Sequence, residues 1–287
     1  MAMLCGCAAA LLAAACGGAT RQPEVQLQRA PENLARARHV VIVLIDGLRP
    51  DALTREHAPF VESRLAGCAY TLEARTVTPS VTLPSHASMI SGLPPSKHRI
   101  TWNSYQPERG NIRVTTIFDV AHDAGLHNAL FGGKLKLLQL IKPDTVNEVS
   151  VSDRPGVEVM REAREHLARQ RPHLTLIHLP DPDLAGHRYG WMSPQQLEAV
   201  RRMDALVGDL FATLEAFPED ESWAVILTSD HGGHGTHHGA ATPLDTTIPW
   251  VICGNGVEPR QLPALSITAT AAATLNALGL PADLPRD

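Results

Sequence analysis

Acidic and histidine side chains recur in this chain at spacings that suit the binding of divalent metal ions. Asp183 and His187 stand four residues apart in PDLAGH, so on a helical turn both side chains point the same way. Asp230 and His231 are adjacent in SDHGGHGTHHG, where the glycines let the backbone bend so that neighbouring side chains converge. Carboxylate and imidazole are common protein ligands of zinc. The alternative for each motif alone is a loop that binds no metal.

A candidate nucleophile, Thr82, lies in SVTLPSHASMISGLPP. The sequence predicts a short helix over Ser85–Ser91, with Ser85 as its N-cap and Gly92 after its end. Backbone N–H groups and the helix dipole favour negative charge at a helix N-terminus. A hydroxyl there suits both an alkoxide and an incoming phosphate, although a threonine before a proline is also common in turns.

Apolar runs rich in β-branched residues predict the strands that position these groups. The runs are His39–Ile45, His127–Phe131, Leu174–Leu179, Ala224–Leu227 and Ile248–Ile252. Helical patterns lie between and after them, at Ile117–Ala124, Gly156–Gln170, Pro194–Phe217 and Ser266–Leu278. Strands that alternate with helices predict an α/β sandwich with a central, mainly parallel sheet flanked by helices. One catalytic domain is expected over residues 38–287.

Three of the predicted strands lead into acidic residues at their carboxyl ends, where sheets of this kind bind ligands. The first strand ends at Asp46, the third runs into Asp183, and the fourth runs into Asp230. A single aspartate after a strand usually serves a turn or a helix cap. Three that converge on one edge predict a metal site.

The composition gives no sign of a nucleic-acid partner. The 287 residues carry a net charge of −5 with histidines neutral, and aromatic residues make up only 4%. A basic footprint and stacking platforms for bases are therefore not expected, whereas the 14 histidines support metal binding.

The first residues, MAMLCGCAAALLAAACGG, are typical of an export signal and too short for a membrane-spanning helix. The run LLAAAC resembles a bacterial lipoprotein signal that is cleaved before a lipidated Cys16. We therefore expect a signal at residues 1–16, a polar tether at 17–37, and an exported periplasmic or outer-membrane lipoprotein whose only membrane contact is the lipid anchor. An ordinary signal peptide or a misassigned start is the alternative. Cys68 and Cys253 either pair or stay free, and their spacing does not decide between these states.

Four motifs, IDG, TLPSHASMISGLPP, PDLAGH and TSDHGGHGTHHG, occur in an order that resembles the alkaline phosphatase superfamily. The most similar branch is the nucleotide pyrophosphatase/phosphodiesterase-like one, with its bacterial alkaline phosphatase family members. PSKHRITWN and TTIFDVAHDAGLHNALFGGK add to the resemblance, which extends from about His39 to the end of the chain.

This resemblance implies a centre with two zinc ions, or with other divalent metals. The first zinc would be served by Asp46, Thr82, Asp230 and His231, and the second by Asp183, His187 and one histidine of the glycine-rich loop. We favour His238 for that last position because it precedes Gly239, as the corresponding ligand does in similar chains. His234 and His237 are the rivals.

The same resemblance implies hydrolysis of a small-molecule phosphoester substrate through a phosphothreonine on Thr82, with phosphodiester or pyrophosphate bonds favoured. Ser85 stands where this branch usually has an asparagine that donates to a phosphoryl oxygen; Asn103, Lys134 or a water could replace that donor. Thr82 cannot become formylglycine, so sulfate hydrolysis is not expected. A phosphomonoesterase or phosphonate hydrolase with the same metals remains an alternative. A zinc-binding lipoprotein without turnover is the alternative from another class.

Overall fold

A computed structural model describes residues 36–282 and residue 284. The predicted signal at residues 1–16 lies outside this part of the chain, and so does the predicted tether at 17–37 except for its last two residues. Among the described residues, no helix is both long enough and apolar enough to cross a membrane.

A single eight-stranded sheet forms the centre of the described part. Its strands in chain order are β1 His39–Ile45, β2 Ala69–Arg75, β3 Asn128–Gly132, β4 Glu148–Val151, β5 Leu174–Leu179, β6 Trp223–Thr228, β7 Thr247–Gly254 and β8 Arg260–Gln261. Their spatial order is β4-β3-β5-β1-β6-β7-β2-β8. The pairs from β4 to β6 are parallel, β7 runs antiparallel to both β6 and β2, and β8 is parallel to β2. The expected mainly parallel sheet is confirmed.

Helices cover both faces of the sheet. They are α1 Pro59–Arg64, α2 Thr82–Ser91, α3 Pro95–His98, α4 Ile117–Asp123, α5 Gly156–Gln170, α6 Asp181–Tyr189, α7 Pro194–Glu215, α8 Pro243–Thr246 and α9 Ala269–Ala277. Alternate residues of β1 point to opposite faces. Val40, Ile42 and Leu44 pack into a core with α2, α4 and α9, whereas Val41 and Val43 pack with α1, α5 and α7. The predicted α/β sandwich is therefore confirmed.

The strands that the sequence did not predict are those at the edges or with mixed exposure. The five apolar runs all form strands, with ends within two residues of the prediction. By contrast, β2 alternates buried and partly exposed positions, and no residue of β4 is fully buried. β8 has only two residues. Continuous apolar runs identify strands buried on both faces, so they miss strands of this kind.

Helix α2 begins at Thr82, so the prediction of a helix that starts after an N-cap at Ser85 was wrong. Ser85 lies fully buried in the first turn, and its Oγ accepts a hydrogen bond from Thr76 Oγ1 at 2.9 Å. No side chain caps the helix from the N-cap position, Val81. Instead the side-chain oxygen of Asn103, distant in sequence, accepts from the Leu83 N–H at 2.9 Å. A cap supplied by tertiary structure leaves no local signal in the sequence.

A disulfide joins Cys68, immediately before β2, to Cys253 in β7. The two cysteines are 185 residues apart in sequence and lie beside the antiparallel pair Ala69 and Ile252. The spacing of the two cysteines did not decide whether they pair or stay free, and the structure shows that they pair. Since the bond closes a long loop, it restricts the unfolded chain more than the folded one.

We expect the double substitution Cys68→Ala with Cys253→Ala to lower the free energy of unfolding by about 2–4 kcal/mol, because the unfolded chain regains the entropy of the open loop. Urea unfolding of both proteins measures the difference. Dithiothreitol should lower the stability of the parent to that of the double variant and leave the variant unchanged. A parent whose stability does not respond to the reductant would contradict the expectation.

Candidate metal centre

Three neighbouring strands bring the predicted acidic groups to one edge of the sheet. Asp46 follows β1, Asp183 lies in the first turn of α6 after β5, and Asp230 follows β6. Because β5, β1 and β6 are adjacent and parallel, their carboxyl ends meet. Gly47 adopts a φ of +72° and passes so close to Asp183 that a Cβ would lie 3.1 Å from its Cα. The Asp-Gly turn thus allows the two aspartates to approach each other.

A first cluster consists of Asp46, Asp230 and His231, all fully buried. His231 Nε2 lies 3.4 Å from Asp46 Oδ1 and 3.4 Å from Asp230 Oδ2. None of these three atoms has a hydrogen-bond partner in the described part of the chain. Buried polar atoms without partners are costly, so three that face one another indicate a cation site.

A second cluster consists of Asp183, His187 and His238. Asp183 Oδ1 lies 3.4 Å from His187 Nε2 and 3.5 Å from His238 Nε2, and the two nitrogens are 3.1 Å apart. Asp183 Oδ1 is itself buried without a hydrogen-bond partner among the described residues. This cluster is more open than the first, because the His187 side chain is 45% exposed.

The spacing within both clusters fits zinc. Ligand atoms bound tetrahedrally at about 2.0–2.1 Å from zinc stand roughly 3.3 Å apart. His231 lies at the boundary between the clusters: one of its ring nitrogens also falls within 4.8 Å of ligand atoms of Asp183 and His238. The rings of His231 and His238 stack with centroids 3.7 Å apart and planes 9° apart. The residues can therefore hold two adjacent cations.

The three imidazoles are held with Nε2 toward the centre. Each Nδ1 contacts a backbone carbonyl, which can only accept, so these contacts favour the tautomer with the proton on Nδ1, in which the Nε2 lone pair faces the centre. The carbonyls belong to Thr236 for His187 (3.0 Å), to Gly232 for His231 (2.8 Å) and to Ser80 for His238 (2.9 Å). Outer hydrogen bonds of this kind orient metal-binding histidines.

The two rival histidines of the loop turn elsewhere. His234 Nδ1 contacts the buried carboxylate of Asp245 at 2.6 Å. His237 lies on the exposed part of the loop, with Nε2 3.3 Å from Thr236 Oγ1. Of the three candidates, His238 is the one whose nitrogen faces Asp183.

In the described part of the chain, the buried carboxylates of the two clusters outnumber the cationic side chains that contact them. Burial opposes the ionised form of Asp46, but Lys134 and the hydrogen bond from His178 outweigh burial and hold its pKa well below the usual range. Burial and the neighbouring Asp46 carboxylate raise the pKa of Asp230. Divalent cations at this position would offset both charges.

Lys134 and His178 occupy the side of Asp46 that faces away from His231. Asp46 Oδ2 accepts from His178 Nε2 at 2.8 Å and pairs with Lys134 Nζ at 2.6 Å, so Oδ1 remains for a metal. Sequence reasoning missed His178, whose signal was a histidine inside the apolar strand LTLIHL. Lys134 had been expected to contact substrate; here it also pairs with Asp183 at 2.6 Å.

Thr82 is the first residue of α2 and is fully buried beside this network. Its Oγ1 accepts from Lys134 Nζ at 3.4 Å. That ammonium group also contacts one carboxylate of each cluster, so Lys134 links the hydroxyl to both.

Asn103 and Lys136 lie beside the start of α2. Asn103 Oδ1 accepts from the Leu83 N–H and from Lys136 Nζ, at 2.9 and 3.0 Å. Lys136 was not predicted; burial, followed by repulsion from Lys134, lowers its pKa to about 8. The hydroxyl of Ser85 is engaged with Thr76 rather than directed at this network.

An open cavity of about 590 Å³ adjoins the centre. Lys134, which pairs with a carboxylate of each cluster, lies on its wall, whereas Thr82 and the residues of the two clusters do not line it. Other lining residues include Arg154, Arg188, Leu184 and Tyr189.

Comparison with known proteins supports the assignment of a family. GPI ethanolamine phosphate transferase 1 of Emericella nidulans is 24% identical over 83% of this chain and 30% of its own length. Human ectonucleotide pyrophosphatase/phosphodiesterase family member 1 is 29% identical over 60% of this chain and 21% of its own length. The chain thus spans less than a third of either relative.

A solved structure shows the same fold. Murine ectonucleotide pyrophosphatase/phosphodiesterase 5, an inactive variant in complex with AMP, superposes with a TM-score of 0.74 at 14% identity. The match covers 87% of this chain and 97% of the murine one. The family model described as "Type I phosphodiesterase / nucleotide pyrophosphatase" matches residues 40–250, which include every residue of the two clusters. The chain is therefore a member of the type I phosphodiesterase / nucleotide pyrophosphatase family.

Proposed function

We propose that this protein is a metal-dependent hydrolase of phosphoric esters, with Thr82 as nucleophile and with phosphodiester or pyrophosphate bonds as its substrates. The observation that carries the proposal is the pair of clusters beside the Thr82 hydroxyl, with ligand atoms 3.1–3.5 Å apart. Asp46, Asp230, His231 and Thr82 would hold one zinc, and Asp183, His187 and His238 the other. Other divalent metals with the same preferences would also fit.

The bound ions would polarise phosphoryl oxygens and lower the pKa of a neighbouring hydroxyl. The chain supplies the remaining chemistry. Thr82 Oγ attacks phosphorus and the bond to the leaving alcohol or phosphate breaks, which gives a phosphothreonine. A water then attacks the same phosphorus, the bond to Thr82 Oγ breaks, and the hydroxyl is restored. Placement of Thr82 in the first turn of α2 favours the negative charge that develops there.

Lys134 and Asn103 are proposed to orient the phosphoryl group. Lys134 is already held between the clusters within reach of Thr82, where its charge would meet a nonbridging oxygen. Asn103 uses Oδ1 for α2 and Lys136, and no described residue accepts from its Nδ2 group. That amide could supply the donor that Ser85 does not. The adjoining cavity of about 590 Å³ would accept the rest of the substrate.

A second candidate is transfer of the phosphoryl group to an alcohol rather than to water. It is favoured by the alignment with an ethanolamine phosphate transferase, which covers more of the chain than the alignment with the phosphodiesterase does. Addition of an acceptor alcohol such as glycerol to the assay of a diester distinguishes the two, because transfer yields a new diester of that alcohol at the expense of the phosphomonoester that hydrolysis releases. A phosphomonoesterase or phosphonate hydrolase uses the same groups and is separated by substrate comparison. A zinc-binding protein without turnover would have no use for Thr82.

Export is proposed as well, with the Cys68–Cys253 disulfide as its support, because such bonds persist in oxidising compartments. Lipidation at Cys16 and a periplasmic or outer-membrane location remain predictions from the sequence.

Thr82→Ala should lower kcat at least about a thousandfold while both metals stay bound, since Thr82 is one ligand among several. Thr82→Ser should keep part of the activity because the hydroxyl remains. Steady-state kinetics and metal analysis of the purified proteins give both results. If Thr82→Ala retained activity within about tenfold of the parent, the nucleophile would lie elsewhere.

Diesters should be preferred to monoesters, as the family assignment suggests. The kcat/KM for bis-p-nitrophenyl phosphate should exceed that for p-nitrophenyl phosphate, and chelation should abolish both activities until zinc is restored. A higher value for the monoester would favour the phosphomonoesterase alternative. Full activity after chelation would contradict metal dependence altogether.

Replacement of each loop histidine by alanine, one at a time, should show which of the three binds metal. His238→Ala should lose about one equivalent of zinc and most activity, because its Nε2 faces Asp183. His234→Ala and His237→Ala are matched controls on the same loop and should keep both equivalents. Loss of zinc from a control variant, with none from His238→Ala, would show that the ligand is assigned wrongly.

A further inference from the structure

Trp191 lies beside both candidate metal clusters, although no chemistry of the proposed reaction requires a tryptophan. It follows α6 and is 7% exposed. Its ring fills the space between two glycines: a Cβ added at Gly186 or Gly233 would lie 2.8 or 2.2 Å from indole carbons. Both glycines leave room for the ring, so the position of the indole is fixed by packing on two sides.

The polar edge of the indole reaches the first cluster. Trp191 Nε1 donates to the carbonyl of Gly47 at 2.9 Å, in the residue directly after Asp46. This bond is buried, so it restrains the turn that presents Asp46 to His231. Loss of the donor would leave the Gly47 carbonyl buried without this partner.

The apolar part of the ring contacts the second cluster. Its centroid lies 5.3 Å from that of His187 and 5.7 Å from that of His238, in edge-to-face arrangements. The Trp191 backbone N–H also donates to Gly235 O at 2.7 Å, which ties the end of α6 to the loop that carries His238. Both imidazoles are thus restrained by one rigid side chain.

We propose that Trp191 is a positioning residue that fixes the two metal clusters relative to each other. The inference rests on the proposed function, since it concerns the same metals. A planar side chain with one donor meets both demands: the ring limits rotation of His187 and His238, and Nε1 restrains the turn at Asp46. Phenylalanine keeps part of the ring contact without the donor, whereas leucine keeps neither.

Metal titration of the apoprotein tests this directly. Cobalt(II) is added to the parent, Trp191→Phe and Trp191→Leu, and binding is followed by visible absorption and by tryptophan fluorescence. The parent should bind two equivalents. Trp191→Phe should weaken at least one of them about tenfold and Trp191→Leu about a hundredfold, the range found for groups that orient metal ligands.

Fluorescence gives a readout that a general loss of stability would not produce. Among the described tryptophans, Trp191 is the one whose ring contacts candidate metal-binding histidines, so most of the cobalt-dependent quenching should disappear in Trp191→Phe. Trp223→Phe is the matched control, because Trp223 begins β6 at the opposite end of the sheet. It should keep both the affinity and the quenching.

Gly233→Ala provides the reverse test with Trp191 still present. The added Cβ displaces the indole, so cobalt affinity should fall as it does in the Trp191 variants. In a Trp191→Leu background the same change should cost less than about threefold, because there is no ring to displace.

The outcomes separate the two proposals. A parent that binds fewer than two equivalents contradicts the metal centre itself. A parent that binds two, with Trp191→Phe and Trp191→Leu within about threefold of it, leaves the metal centre intact and overturns the role of Trp191. If Trp191→Leu does not fold, Trp191→Phe and Gly233→Ala decide the question.

Discussion

The repulsion among buried carboxylates at the carboxyl edge of β5, β1 and β6 shapes the surrounding structure. Asp46, Asp183 and Asp230 approach one another where water is excluded, and a single ammonium group, that of Lys134, contacts two of them. Burial of Asp46 is outweighed by Lys134 and His178, which hold its pKa low, whereas burial and the Asp46 carboxylate raise the pKa of Asp230. Divalent cations would remove this conflict. One oxygen of each of the three carboxylates, together with His231 Nε2, has no hydrogen-bond partner in the described part of the chain and is left for them.

That arrangement depends on bonds that point away from the centre. The carbonyls that hold the three imidazoles, the imidazole of His178 on Asp46 and the indole of Trp191 on Gly47 all determine orientation rather than bind substrate. Such contacts come from parts of the chain that are far apart in sequence. They arise from the parallel order of the strands, which brings the starts of several helices and loops together.

These contacts between distant parts of the chain explain which features of the site the sequence revealed and which it did not. Asp46, Asp183 and Asp230 were recognisable because each follows a buried apolar run, and His187 because it lies one helical turn after Asp183. The contacts of His178 and Trp191 left no periodic signal, since both depend on strand order. The start of α2 was placed at Ser85 because a local cap was sought, whereas the cap comes from Asn103. Edge strands such as β4 escaped for the same reason: their stability comes from a neighbour rather than from their own pattern.

The bond from His238 to the carbonyl of Ser80 has a mechanical consequence. Ser80 lies two residues before Thr82, and its own hydroxyl donates to Ala240 O at 2.8 Å. Two hydrogen bonds therefore connect the loop that carries His238 to the segment that leads into α2. Restriction of the loop's motion therefore also restricts the backbone that carries the Thr82 hydroxyl. A cation bound by the cluster that contains His238 would in this way reduce the mobility of the segment that carries Thr82, without any movement of the sheet beneath them.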